Sequence, residues 1–176
     1  MKCYITYFSL LLLFFSLQSV SAQGTYPIDE GVLLLGGSAG FGSLGGEAFD
    51  NRTFSLRVSP EASYFIRPNI AIGGALNFSI NSFDGETDTF FGLGPQAAYY
   101  FGGEDDLVYP FVEASIFFLA GPDELSSLTY RAAGGIAYMI SRNVAINGEL
   151  FFQLDDTNIT DTNNFGLDIG IKVFIY

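Results

Sequence analysis

Seven residues of this chain have the types needed for chemistry at a buried site: Arg57, Glu61, Glu113, Arg131, Glu149, Asp168 and Lys172. Each stands on the polar side of a stretch that alternates apolar and polar residues, so three cations and four carboxylates point the same way. Two carboxylates held together can act as acid and base, and Glu61, Glu113 and Glu149 are the candidates. The same seven groups can instead pair with one another, because ionic networks perturb charge without catalysing anything. A paired, hydrogen-bonded plug is the stronger expectation. The chain contains no histidine. That closes the usual route to a base or a triad working near neutral pH. No catalytic residue and no cofactor is expected, and the protein is not expected to be an enzyme.

A second set is acidic. Glu47, Asp50, Asp84, Glu86, Asp88, Asp123, Glu124, Asp155, Asp156 and Asp161 fall between the alternating stretches, with Arg52 as the one base among them. Carboxylate oxygens suit Ca²⁺, which could bridge such loops to anionic lipopolysaccharide. Asp84-Gly85-Glu86-Thr87-Asp88 has part of a calcium loop but not all of it. A hydrated, self-repelling rim is the simpler reading, and no metal site is expected. Gly36-Gly37-Ser38-Ala39-Gly40-Phe41-Gly42 lacks the Lys and the helix of a phosphate loop. Glycine in a tightly curved strand accounts for it better. Three glycosylation triplets, beginning at Asn51, Asn77 and Asn158, are read as chance.

The elements that must position these residues are eight strands, near 31–42, 53–66, 69–80, 89–101, 107–120, 127–140, 143–154 and 163–176. One face of each carries no Asp, Glu, Lys or Arg. Between Asn69 and Asn81, Ile70, Ile72, Gly74, Leu76, Phe78 and Ile80 share that face, a period of two. Connections after the second, fourth and sixth strands are short: Arg67-Pro68-Asn69, Gly102 to Asp106, and Ser141-Arg142-Asn143. The others are mostly longer and rich in Gly, Asp and Asn. Alternating short turns and long loops are the habit of outer-membrane barrels. The hairpin at Tyr64 to Ile72 has an echo at Tyr138 to Ile146, which supports the register.

The direction of the uncharged face follows from cost. Lys2, the apolar run Phe8 to Leu17 and the small residues of Val20-Ser21-Ala22 predict a signal peptide over residues 1–22. That leaves 23–176 as one domain, with Cys3 removed and so no disulfide or Cys-based metal site. No later stretch approaches 18 uninterrupted apolar residues, so a membrane protein of this sequence must be a closed barrel. An Arg or Lys facing lipid at mid-depth costs about 2–4 kcal/mol. Three such penalties rival a whole folding stability of about 5–15 kcal/mol. The charged face must therefore look inward. Its many small residues, among them Ala71, Gly73, Ala75, Ser63, Gly94, Ala98, Ala133 and Ala137, fit the narrow bore of eight strands. Tyr64, Tyr99, Phe101 and Tyr138 fall near short turns, as an aromatic girdle should.

The expectation is an all-β fold, an eight-stranded antiparallel up-and-down transmembrane β-barrel in the cell outer membrane. Its loops would be extracellular and both mature termini periplasmic. A narrow pore for solutes is an alternative role, and a soluble periplasmic lipocalin-like binding barrel an alternative setting. The formal net charge of −12 is wrong for a nucleic-acid binder.

These residues resemble the small eight-stranded outer-membrane barrels of the OmpX and OmpA transmembrane-domain type. The likeness covers about residues 24–176. It rests on the eight-strand pattern, on the hairpin Tyr64-Phe65-Ile66-Arg67-Pro68-Asn69-Ile70-Ala71-Ile72-Gly73-Gly74, and on the last strand from Phe165 to Tyr176. It implies partners in outer-membrane lipid and lipopolysaccharide, and in the barrel-insertion machinery that reads a terminal aromatic such as Tyr176. Alternation sets Phe165, Leu167, Ile169, Ile171, Val173 and Ile175 outward and Tyr176 inward. No peptidoglycan-binding domain follows, so the anchoring role of the OmpA type is not implied. What remains is a non-enzymatic role, structural or surface-interacting.

Overall fold

The computed structural model describes residues 24–46, 53–83, 86–120, 126–157 and 161–176. The expected leader lies outside them. Eight strands follow in order: β1 Leu33–Gly46, β2 Thr53–Arg67, β3 Ile70–Phe83, β4 Glu86–Tyr100, β5 Val108–Ala120, β6 Ser126–Met139, β7 Val144–Thr157 and β8 Asp161–Ile175. Each pairs antiparallel with its sequence neighbours, and β8 closes on β1 from Leu33↔Ile175 to Gly46↔Thr162. The chain is a closed, up-and-down, eight-stranded barrel, as the alternation predicts.

Alternation decides which side chains enter. On β5 it is unbroken: every second residue from Tyr109 to Leu119 is buried and every other one exposed. Small inward residues such as Ala71, Ala98 and Ala137 leave room for the long ones. The outward rows expose Leu93, Phe118 and Leu150, with 56, 68 and 67 % of their surface uncovered.

The strands extend further toward the long loops than expected. Glu86 and Asp88 belong to β4, Asp155 and Asp156 to β7, and Asp161 to β8. Asp and Asn are poor strand formers taken singly. The ladder nevertheless continues past them, pairing Asp155 with Thr162 and Asp156 with Asp161.

The short-turn end carries a second core inside the barrel. Phe65, Tyr100, Phe111 and Phe174 converge there, with Phe65–Tyr100 and Tyr100–Phe111 ring centroids 5.4 and 5.3 Å apart. The segment before β1 closes over them. Ile28 and Val32 are fully buried. Backbone bonds tie this segment to the β2–β3 hairpin: Gly31 N–H donates to Phe65 O, Phe65 N–H to Val32 O, and Asn69 N–H to Ile28 O. Asn69 holds a left-handed backbone with φ of 73°, which Asn tolerates better than most residues. Its amide also donates to Tyr100 O at 2.7 Å and Gly102 O at 3.2 Å, so the first two short turns are bonded together. Tyr176, half-buried, packs against this apolar core, and its hydroxyl donates to Arg142 O.

Candidate functional site

The barrel register brings all seven predicted charges into one lumen, each in the buried or half-buried range. Two of the contacts depend on glycine. Gly40 on β1 is paired with Arg57 on one side and Asp168 on the other. With no side chain between them, Arg57 Nη2 reaches both Asp168 oxygens at 3.1 Å across β1. A Cβ on Gly40 would lie 2.1 Å from Asp168 Oδ1. Gly36 likewise sits between Glu61 and Lys172, whose side chains form an ion pair over it. The glycine run therefore serves side-chain pairing as well as strand curvature.

Arg131 is the hub. Its Nη1 meets Glu113 at 3.2 Å, and its Nη2 meets Glu149 at 2.6 Å and Asp168 at 2.9 Å. Arg57 extends the chain through Gln153 Oε1 at 3.0 Å. Gln153 in turn donates to Asp155, which also accepts the Thr129 hydroxyl. Gln96 donates to Glu61 at 2.5 Å and to Ser63 at 3.0 Å. Both guanidiniums lie over the inward Phe151 ring, at 3.7 Å for Arg57 and 5.0 Å for Arg131, within cation–π reach.

Glu61, Glu113, Glu149 and Asp168 each have a cationic partner, which offsets the cost of burying charge. Unpartnered polar atoms remain at Arg57 Nε, Arg131 Nε, Ser115 Oγ and the Oδ1 atoms of Asn77, Asn147 and Asn164. Between Glu61, Glu113, Glu149 and Asn147 lies a cavity of about 10 Å³, the room of a single water. It holds no substrate-sized space beside the carboxylates. Among the described residues no cluster of carboxylates is arranged to hold a metal ion.

The acidic set divides. Asp155 is not in a loop: it lies in β7 with its side chain buried and bonded inside the lumen. Asp156, its neighbour in β7, is exposed. Glu86, Asp88 and Asp161 are strand residues by backbone, not loop residues, and their side chains lie outside the described set. Glu47, Asp50, Asp84, Asp123 and Glu124 lie outside the described residues altogether.

Sequence reasoning missed Gln96, Gln153, Thr129 and Phe151 as members of the network. All four sit on the polar side of their strands, so the alternation carried the signal. It also missed the terminal cap: Ile28 falls in no alternating run, and Val32 was read as part of the first strand, which begins at Leu33.

No protein-family model matches the chain, and no curated protein matches it. Among solved structures it is similar to Neisserial surface protein A, with 17 % identity, a TM-score of 0.67, and coverage of 82 % of this chain and 99 % of that one. It is also similar to the outer membrane enzyme PagL, at 14 % identity and a TM-score of 0.51, covering 80 % of this chain and 98 % of that one. The chain shares the fold of small eight-stranded outer-membrane barrels.

Proposed function

We propose that this protein is an integral outer-membrane barrel with a sealed lumen and a structural or surface-interaction role, of the same general kind as the OmpX and OmpA transmembrane barrels. One observation carries the reading: the charges are inside and the grease is outside. Arg57, Asp168 and Lys172 keep 3, 1 and 1 % of their surface exposed. Thirty large hydrophobic residues among those described are exposed. Covering a side chain of that size is worth about 1.5–3 kcal/mol. Leaving thirty in water would forfeit several times a typical stability of about 5–15 kcal/mol. Acyl chains remove that penalty, and the barrel leaves no unpaired edge to face them.

The same features argue for a plug over a pore, because ion pairs fill the middle of the bore and an aromatic core with its cap fills one end. They argue against catalysis too: the chain has no histidine, and Glu61, Glu113, Glu149 and Asp168 are each engaged by a cation. In this reading the short turns and both ends of the mature chain face the periplasm. The long loops meet lipopolysaccharide and the cell exterior, and the insertion machinery reads the terminal strand.

Cell fractionation tests the location. The protein should sediment with the outer membrane and change gel mobility on boiling; recovery as a folded protein in detergent-free buffer would overturn the proposal. Planar-bilayer recording tests the plug, and a large steady conductance would defeat it.

A further inference from the structure

A groove of about 560 Å³ crosses the outward face of β3 to β7. Its floor comes from register. Ile72 pairs with Ala97, Ala97 with Ala114, Ala114 with Ala132, and Ala132 with Phe152. Three alanines thus lie side by side on three adjacent strands, with a bulky residue at each end. At strand spacings of about 4.8 Å the row is about 19 Å long. Ile116, Tyr130 and Leu154, also mutually in register, form a raised wall on its long-loop side. The β4–β5 pairing lapses beside this floor at Gly94 and Pro95 and then resumes in the same register. Pro95 has no N–H to give the ladder, and its ring lines the groove.

The row starts near the short-turn rim and climbs away from it. Ile72 is the third residue of β3, Ala97 the fourth from the end of β4, Ala114 the seventh of β5 and Phe152 the ninth of β7. Two turns of opposite charge flank its lower end. Arg67, exposed, ends β2 at the β2–β3 turn; Glu104 and Asp105, exposed, lie in the β4–β5 turn. Asn69 bonds the two turns together.

We propose that this groove holds one acyl chain of a zwitterionic phospholipid, phosphatidylethanolamine, with its phosphate at Arg67 and its ammonium at Glu104 and Asp105. This rests on the membrane reading above. The charge layout selects the occupant: a single headgroup can satisfy both turns, whereas a purely anionic one meets repulsion at Glu104 and Asp105. A second copy of the chain fits worse. A two-fold contact sets a patch against itself, and a concave floor against its own copy leaves a void. Lipopolysaccharide would place its phosphates at the opposite, long-loop rim, away from Arg67.

The test uses the full mature protein in nanodiscs of equimolar phosphatidylethanolamine and phosphatidylglycerol, released into native mass spectrometry, beside protein extracted directly from the outer membrane. The wild type should retain one phosphatidylethanolamine. Ala114→Leu and Ala132→Leu, which fill the floor, should lose it. Arg67→Ala should abolish the preference over phosphatidylglycerol. Leu150→Ala, on the lipid face outside the groove, should retain it. Boiled and unboiled gels of each preparation show separately whether the barrel has folded, and co-elution with the nanodisc or sedimentation with the outer membrane shows whether it is membrane-borne. A folded, membrane-borne wild type that retains nothing overturns this inference alone. So does equal retention by a folded Ala114→Leu or Ala132→Leu variant, a preference for phosphatidylglycerol, retained lipopolysaccharide instead, or a dimer that Ala114→Leu disperses.

Discussion

Two regions inside one barrel are filled by opposite means. The middle of the lumen is ionic: Arg57, Arg131 and Lys172 against Glu61, Glu113, Glu149 and Asp168, with glutamines bridging the gaps. The short-turn end is apolar: Phe65, Tyr100, Phe111 and Phe174 under a cap of Ile28 and Val32. The two differ in what a single loss does. An apolar core that loses a methyl keeps the rest of its contacts. An ionic network that loses its hub leaves several buried charges without compensation. The difference teaches that the middle of the barrel is the sensitive part and the end the tolerant one.

The strongest way to break that contrast is Arg131→Ala. It strips three carboxylates of one cation. It should cost about 3–5 kcal/mol, the usual result of orphaning a buried charge. Urea unfolding in lipid vesicles, followed by the gel shift, measures it; a loss within error would mean that the network contributes nothing to stability.

A smaller effect is expected from Gly40→Ala. The new methyl would meet Asp168 Oδ1 at 2.1 Å and Leu167 O at 2.2 Å. Since both a side chain and the backbone must yield, about 1–3 kcal/mol of overpacking is expected in the same assay. Gly148→Ala serves as the control, with nothing within 4 Å of its added carbon.

On the apolar side, Ile28→Val removes one buried methylene from the cap and should cost about 0.5–1.5 kcal/mol. If it matched Arg131→Ala, the division into sensitive and tolerant regions would fail.

The smallest effect concerns the outer edge of the cap. Asp29 accepts Thr25 N–H at 2.9 Å, the Thr25 hydroxyl at 3.0 Å and Glu30 N–H at 2.8 Å. These bonds, the Thr25 N–H above all, hold its carboxyl below the ordinary aspartate value. A lowered folded value means that the contribution is complete above the ordinary value of about 3.9 and disappears as pH falls through the folded one. The protection factors of the Thr25 and Glu30 amides, taken relative to the intrinsic exchange rate at each pH, should therefore hold at neutral pH and fall only in acid below that value. Asp29→Asn should remove the pH dependence; an unchanged profile would assign the protection to another group.

Much of the fold was legible because the period of two runs through all eight strands. Val112, Ile116 and Phe118 alternate with Glu113, Ser115 and Phe117, and β5 follows that pattern without a break. Strand ends were less legible. Asp155 has loop character by type, yet the β7–β8 ladder carries it into the barrel, where Thr129 and Gln153 bind it. The glycine run of β1 was legible as strand but not as a passage between Arg57 and Asp168. That role depends on β8 closing against β1, a contact between residues far apart in the chain.

Taken alone, the order of residues determined the number of strands, their antiparallel sequence and the sidedness of each, since these follow from alternation and turn spacing. It also determined that the seven charges share a face. Only the closed barrel decided which charge meets which, that Arg131 serves three carboxylates, that three alanines form a floor, and that the segment before β1 caps the bore. Alternation sets a side chain's direction locally, whereas its neighbour across the strands is set by register and closure, which no stretch of sequence holds by itself.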